Sequence, residues 1–185
     1  MDDVALPPSA TLPGVTDAER ARTFTDWMRA HGPALRRVAS SYAHAPAEQE
    51  DLLQQIALAL WQALPGFRGE CNARTFVYRV AHNQGAHFAT RERLRRPHPD
   101  GDLALDALAD ERPDPERALD ARRRQGRLFE AIRALPVSLR QVITLALEDL
   151  PHDEIAAVLG ISVNNVNVRL SRARDALRAQ MGGQP

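Results

Sequence analysis

Residues 152–177 read HDEIAAVLGISVNNVNVRLSRARDAL, and their pattern is that of two short helices with a sharp turn between them. Ile155, Ala156 and Leu159 recur at helical spacing and give the first helix an apolar face. Gly160 stands where the chain must turn, a position that favours positive φ. Ile161 plugs the angle between the helices, and Ser162 is a good N-cap for the second. Val166 and Leu170 anchor that second helix to a core. Asn164, Asn165, Asn167, Arg169, Ser171 and Arg172 are left for outward or flanking positions, with Ser162 at the helix start. Asparagine can pair bidentately with adenine in the major groove, and arginine can do so with guanine or grip phosphate. The stretch therefore predicts a DNA-binding helix-turn-helix over His152–Arg174, with base contacts concentrated in the first turn of the second helix. The plainer alternative is a helical hairpin with a solvated polar face. The glycine turn, the cap and the arginine-rich exit argue against it. Arg174 and Arg178 have a scaffold reading of their own, solvating the helix or pairing with Asp175.

The bulk composition fits such a reader. Apolar residues make up 44% of the 185-residue chain and aromatics only 5%, so its core is built from Leu, Ala, Val and Ile and favours helices. No run approaches the roughly 18 apolar residues that a membrane span needs. The start, MDDVALPPSATLPG, has neither a basic nor an apolar stretch and does not read as a signal peptide. A lone cysteine, Cys71, excludes an internal disulfide and a cysteine-based zinc site. These features predict a cytoplasmic, mostly helical protein without membrane insertion. Net charge is zero, yet all 24 basic residues are arginine and they are unevenly spread. Residues 1–96 carry 12 arginines against 10 carboxylates, residues 97–120 carry 2 against 8, and residues 121–185 carry 10 against 6. Two basic ends flank an acidic middle, as expected of phosphate-binding modules joined by an acidic linker.

The expected organisation is all-α: two small helical domains joined by an acidic, Pro-rich linker. Residues 1–16 read as a disordered tail and 17–96 as the first domain. Within it, one helix begins at Asp17 and ends at His31-Gly32-Pro33, and a second starts at Pro33. A third runs from Pro46 to about Leu64. Pro65–Gly69 forms a loop, and a fourth helix spans about Ala73 to Arg95, stopping before Pro97. Residues 97–115, PHPDGDLALDALADERPDP, form the linker, whose 19 residues could extend to about 65 Å. Residues 116–182 form the second domain, with Pro136 and Pro151 separating its helices.

Both halves resemble the sigma-70 family, and specifically its small extracytoplasmic-function (ECF) sigma factors. In the C-terminal half the carrying residues are Leu135-Pro136, Arg140-Gln141-Val142, Glu154-Ile155-Ala156, Leu159-Gly160-Ile161-Ser162 and Arg169-Leu170-Ser171-Arg172-Ala173-Arg174. They look like the domain that reads the −35 promoter element. In the N-terminal half they are Asp51-Leu52-Leu53-Gln54, Trp61, Phe67-Arg68-Gly69 and Thr75-Phe76-Val77-Tyr78-Arg79-Val80-Ala81-His82-Asn83. They look like the domain that binds core RNA polymerase and the −10 element. The resemblance covers about residues 20–96 and 117–180, in matching order. Two departures stand out. Where the family often has Thr-Val-Lys-Ser-Arg, this chain has Asn165-Val166-Asn167-Val168-Arg169, so −35 recognition leans on asparagines and the remaining arginines. The fourth helix ends His87-Phe88-Ala89-Thr90-Arg91-Glu92-Arg93, without the common Asp-Xaa-Xaa-Arg order, which leaves individual −10 contacts open.

The resemblance gives roles to features of the first domain. On the third helix Leu52, Leu53, Ile56, Leu60 and Leu64 form a core stripe. Asp51, Gln54, Gln55 and Leu58 line the opposite side at i, i+3, i+4 and i+7. Read alone, that stripe is solvated surface; the resemblance implies a docking face for the clamp helices of the polymerase β′ subunit. The fourth helix carries Arg74, Arg79, Arg91, Arg93, Arg95 and Arg96 against Glu92, and Arg79, Asn83, Ala86, Thr90 and Arg93 share one stripe. Small residues mid-stripe let a DNA backbone approach, with arginines to hold phosphates and a steep salt dependence. The loop from Phe67 to Asn72 resembles the family's receiver of a flipped −10 base, with Phe67, Arg68 and Asn72 available for stacking and edge contacts or simply for fixing the loop. Trp61 and Phe76 read as core.

The resemblance implies an initiation factor: core RNA polymerase (β′ clamp helices and β flap) and promoter DNA as partners, an anti-sigma factor as regulator, a monomer when free, and no cofactor. A free-standing helix-turn-helix regulator is the alternative, though it leaves the first 96 residues without a role. An enzyme finds little support. The six histidines (31, 44, 82, 87, 98, 152) form no i, i+4 metal pair, and no glycine-rich phosphate loop or nucleophile elbow is present.

Overall fold

Thr16 caps the first helix, α1 (Asp17–Tyr42): its Oγ1 accepts a hydrogen bond from the Glu19 amide at 3.2 Å, and the Glu19 carboxylate accepts one from the Thr16 amide at 2.8 Å. α1 is a single helix where the sequence suggested two. The break expected at His31-Gly32-Pro33 does not occur, and Pro33 lies inside the helix. An interior proline forgoes a backbone hydrogen bond and costs about 3 kcal/mol or more. The apolar stripe runs straight through it, however. Phe24, Trp27 and Met28 pack on the core, and Leu35, Val38, Ala39 and Tyr42 are buried. At roughly 1.5–3 kcal/mol for each large side chain buried, that face outweighs the proline.

This computed structural model describes residues 16–95 and 115–181, without the side chains of 115–123. The expected tail (all but Thr16), the linker (all but Pro115) and Arg96 lie outside the described residues. The remaining elements are α2 (Pro46–Ala63), a 3-10 turn (Leu64–Gly66), α3 (Ala73–Arg95), α4 (Pro115–Ala134), α5 (Val137–Leu147), α6 (His152–Leu159) and α7 (Val163–Met181). No strand occurs among the described residues.

α1, α2 and α3 pack on one another around Leu35, Val38, Leu52, Ile56, Leu60, Val77 and Ala81. Gly85 is needed where α3 crosses α1: a Cβ there would lie 2.4 Å from the Tyr42 ring. That close approach lets the Tyr42 hydroxyl meet Nδ1 of the fully buried His82 at 3.0 Å. In the second half, Ile132, Val142, Leu145, Ile155, Val166 and Leu170 form the core of α4–α7. Arg140, itself buried, ties the α4–α5 elbow by donating to the carbonyls of Arg133 and of Leu135, the latter at 3.0 Å.

The two halves also pack against each other. Arg140 lies over the Tyr42 ring, 5.3 Å from its centroid, and Arg133 donates to the Ser40 carbonyl at 2.8 Å. α3 touches α5 and α6. Glu148, just past the end of α5, receives Arg37 on both carboxylate oxygens, and Arg74 donates to its carbonyl.

Candidate nucleic-acid interfaces

The helix-turn-helix forms as its sequence dictates. Gly160 takes φ 65° at the end of α6, and the Ser162 hydroxyl accepts from the Asn165 amide at 3.2 Å. Val166, Leu170, Ala173 and Leu177 bury one side of α7. Asn164, Asn167, Ser171 and Arg172 are exposed, while Asn165 and Arg169 are half-buried at the flanks. The sequence-predicted set therefore divides into an outward group and two flanking members, with Ser162 spent on the cap. Beside the outward face, a cleft of about 270 Å³ is lined by His152, Asn167, Leu170, Ser171, Arg174, Asp175 and Arg178. Arg178 pairs with Asp175 at 2.9 Å in it, as the scaffold reading expected. Arg174 is exposed and faces the same cleft.

α3 presents the second arginine-bearing face. Arg79, Asn83, Thr90, Arg91 and Arg93 are exposed on it, and Ala86 is half-buried. Several of these side chains already have partners. Arg79 donates to the Ala157 carbonyl of α6 at 2.8 Å, and Arg74 to that of Glu148. Arg91 donates to Oε1 of Gln55 on α2 at 2.8 Å, and Thr90 to the Ala86 carbonyl at 3.0 Å. Arg95 lies 3.6 Å from Glu92. Arg74 and Arg79, both read as DNA contacts, thus face the second half of the chain itself.

The loop before α3 is held by its own aromatics. Phe67 stacks edge-on against Trp27 and tilts against Phe76, with centroids 5.1 Å apart in each case. Phe24 meets Trp61 edge-on at 5.4 Å, and the Arg20 guanidinium caps Trp61 at 4.1 Å. Trp61 and Phe76 are both half-buried, Trp61 against Phe24 and Phe76 against Trp27 and Phe67. Asn72 accepts the Arg74 amide at 2.9 Å and so starts α3. Arg68 is exposed beside Gly69, which has φ 73°. Cys71 is half-buried and free. On α2, Asp51, Gln54 and Leu58 are exposed, Leu58 at 57%, and Gln55 is half-buried against Arg91.

Burial sets the ionisation behaviour at the junction between the halves. Desolvation pushes the His82 pKa down to about 3 and keeps the ring neutral. Burial, aided by the Glu148 carboxylate, pushes the Tyr78 hydroxyl up to about 12. The hydrogen-bonded Glu148 carboxylate raises Arg37. Arg140 is lowered by burial. Glu148 could not be read from the sequence as a meeting point; a carboxylate and an arginine so far apart along the chain carry no periodicity to read. Among the described residues, no group of three His, Cys, Asp or Glu side chains is placed to hold a metal ion. Nor, among these residues, is any helix long and apolar enough to cross a membrane.

Comparison with known proteins agrees with both halves. Residues 27–95 match the sigma-70 region 2 family and residues 125–177 the sigma-70 region 4 family. The RNA polymerase sigma factor CnrH of Cupriavidus metallidurans is 32% identical over 164 residues, covering 85% of this chain and 86% of that protein. The ECF RNA polymerase sigma-E factor of Escherichia coli K12 is 32% identical over 135 residues, covering 69% and 70%. The structure of CnrH in complex with the cytosolic domain of CnrY superposes with a TM-score of 0.65 at 26% identity, covering 89% of this chain and 91% of that one. The sigma factor RpoE of Bartonella quintana, solved with the anti-sigma factor NepR, gives the same TM-score at 20% identity, a likeness of fold, covering 89% and 99%. The sequence motifs, the all-helical architecture and these relatives converge: the chain belongs to the sigma-70 family, as an ECF-type RNA polymerase sigma factor.

Proposed function

We propose that residues 17–96 form the unit that binds core polymerase and the −10 element, and that residues 116–182 form the unit that reads the −35 element. The observation that carries this division is the pair of separate arginine-bearing helix faces, on α3 and α7, within one chain. On α7, Asn164, Asn167 and Arg172 contact bases, and the cleft with His152 and Arg174 lies ready for a backbone phosphate. On α3, Arg79, Asn83, Arg91 and Arg93 hold the −10 strand, with Arg68 from the loop. Asp51, Gln54 and Leu58 dock on the β′ clamp helices, and the second unit meets the β flap. The enzyme's chemistry stays with the polymerase, in the cytoplasm.

This reading requires the two halves to part. Arg74 and Arg79 must exchange the carbonyls of Glu148 and Ala157 for phosphate oxygens. Among the described residues α7 packs only on α4, α5 and α6, so −35 reading needs no release. An anti-sigma factor is the expected regulator, by analogy with the complex of the sigma factor RpoE of Bartonella quintana with the anti-sigma factor NepR. Run-off transcription with core polymerase and a promoter library tests the proposal. Initiation at promoters sharing one −10 and one −35 element is expected. Tight, specific duplex binding by the free chain, with no initiation alongside core enzyme, would overturn it in favour of a free-standing regulator.

A further inference from the structure

The outward crest of α7 has an apolar side chain at its centre. Val166, Leu170, Ala173 and Leu177 bury one side of the helix. On the side away from them stand Asn164, Val168, Ser171 and Arg172, all exposed. Val168 lies one turn after Asn164 and one turn before Arg172, and 42% of it faces solvent. Valine is a poorer helix former than alanine or the long polar residues, and Val168 is not among the buried residues that hold α7 to the core. It therefore differs from Val166, whose burial explains it fully.

The surroundings decide what would cover it. Four arginines (Arg169, Arg172, Arg174 and Arg178) face one aspartate, Asp175, along α7, which suits a polyanion better than an apolar protein surface. Asn164, Val168 and Ser171 are short, so the helix backbone can lie deep in a groove before a long side chain intervenes. A B-DNA major groove admits an α-helix, and the thymine 5-methyl is its one apolar base feature.

We propose that Val168 is a specificity-determining residue, its isopropyl group packing on the 5-methyl of a thymine in the −35 element. The inference rests on α7 being the −35 reader. Asn164 and Arg172 then bracket the thymine with hydrogen-bonding contacts on either side. Val168 supplies selection by shape, and an A·T pair is favoured at that position in one orientation.

The test uses holoenzyme, assembled from the full chain and core polymerase, on a promoter selected from a library. Each −35 thymine is replaced in turn by deoxyuridine, which removes only the methyl group. Deoxyuridine at one position is expected to weaken wild-type binding about fourfold, the effect of exposing one methyl group. Val168→Ser should weaken binding to the thymine promoter by a similar factor and no longer sense deoxyuridine there. Val168→Thr, which keeps one methyl, should retain part of the discrimination. Because the side chain is exposed, unchanged helicity and melting temperature are expected for both variants. The proposal is overturned if no position senses deoxyuridine, or if Val168→Ser discriminates as the wild type does. Loss of core-polymerase affinity in Val168→Ser would assign the side chain to a protein contact and overturn it too. Holoenzyme that initiates without selecting any −35 element would instead overturn the parent reading of α7, a distinguishable result.

Discussion

Glu148 binds Arg37 through two parallel hydrogen bonds, each 2.6 Å long, joining the end of α5 to α1 across the two halves of the chain. The Glu148 side chain is only 7% exposed and that of Arg37 46%. Its worth thus falls between a surface pair and a fully buried one, about 1–3 kcal/mol. Glu148→Gln keeps the shape and removes the charge. The free variant should populate separated halves, read as a larger radius of gyration in small-angle scattering. Raising ionic strength should move the wild type the same way but less, since a half-buried pair is only partly screened.

Arg93 is exposed on the α3 stripe. Arg93→Ala in the holoenzyme should weaken promoter binding evenly across −10 variants. It should also lower the slope of log affinity against log salt by about 1, the signature of one lost phosphate contact. A change confined to one −10 base would assign Arg93 to base reading instead.

The asparagines of α7 should separate by exposure. Asn164→Ala and Asn167→Ala remove outward amides, and each should cost about 1–3 kcal/mol in −35 binding with relaxed preference at one base pair. Asn165 is half-buried at the flank, and Asn165→Ala should matter less. Unchanged −35 preference in all three variants would remove asparagine from the recognition scheme.

His82 makes the first half sensitive to acid. Its folded pKa is pushed down to about 3 by burial, whereas an unfolded histidine titrates near 6.5. The unfolded chain therefore binds the extra proton between those values. Stability contributed by the neutral ring is complete above about pH 6.5 and falls by about 1.4 kcal/mol per pH unit below it. His82→Gln should lower stability at pH 7 yet flatten the pH dependence of the melting temperature between pH 6 and 4.

Gly85 can be tested by adding one methyl group. Gly85→Ala places a Cβ 2.4 Å from the Tyr42 ring, so α1 and α3 must move apart or the ring must turn away from His82. Overpacking of this kind costs about 1–3 kcal/mol, which offsets the helix propensity that alanine would contribute. A melting temperature equal to or above that of the wild type would show that the crossing is looser than the geometry implies.

Local chemistry was legible in the sequence, and long-range pairing was not. Gly160 and Ser162 located the α6–α7 turn because a left-handed residue and an N-cap are dictated by their immediate neighbours. Pro33 misled, because its local cost is visible while the continuous stripe from Phe24 to Tyr42 must be weighed against it. Phe67 was read as a ring for base stacking or for fixing the loop, and in the structure it packs at right angles to Trp27. The concentration of both tryptophans and four of the five phenylalanines in the first half was the available clue. The pairing of Arg37 with Glu148 left no trace, since in the sequence each looks like an ordinary solvated charge, one within α1 and one just past α5.

The aromatic cluster has a practical consequence. The chain has two tryptophans, and both lie in the first half, Trp27 in contact with Phe67 at the mouth of the loop and Trp61 beneath Arg20 and against Phe24. The unlabelled protein thus carries an optical reporter confined to its first half. Its ultraviolet emission registers what happens beside the Phe67–Asn72 loop and is nearly blind to α7. A promoter with only its upstream element intact should leave that emission unchanged, while a single-stranded −10 fragment should alter it.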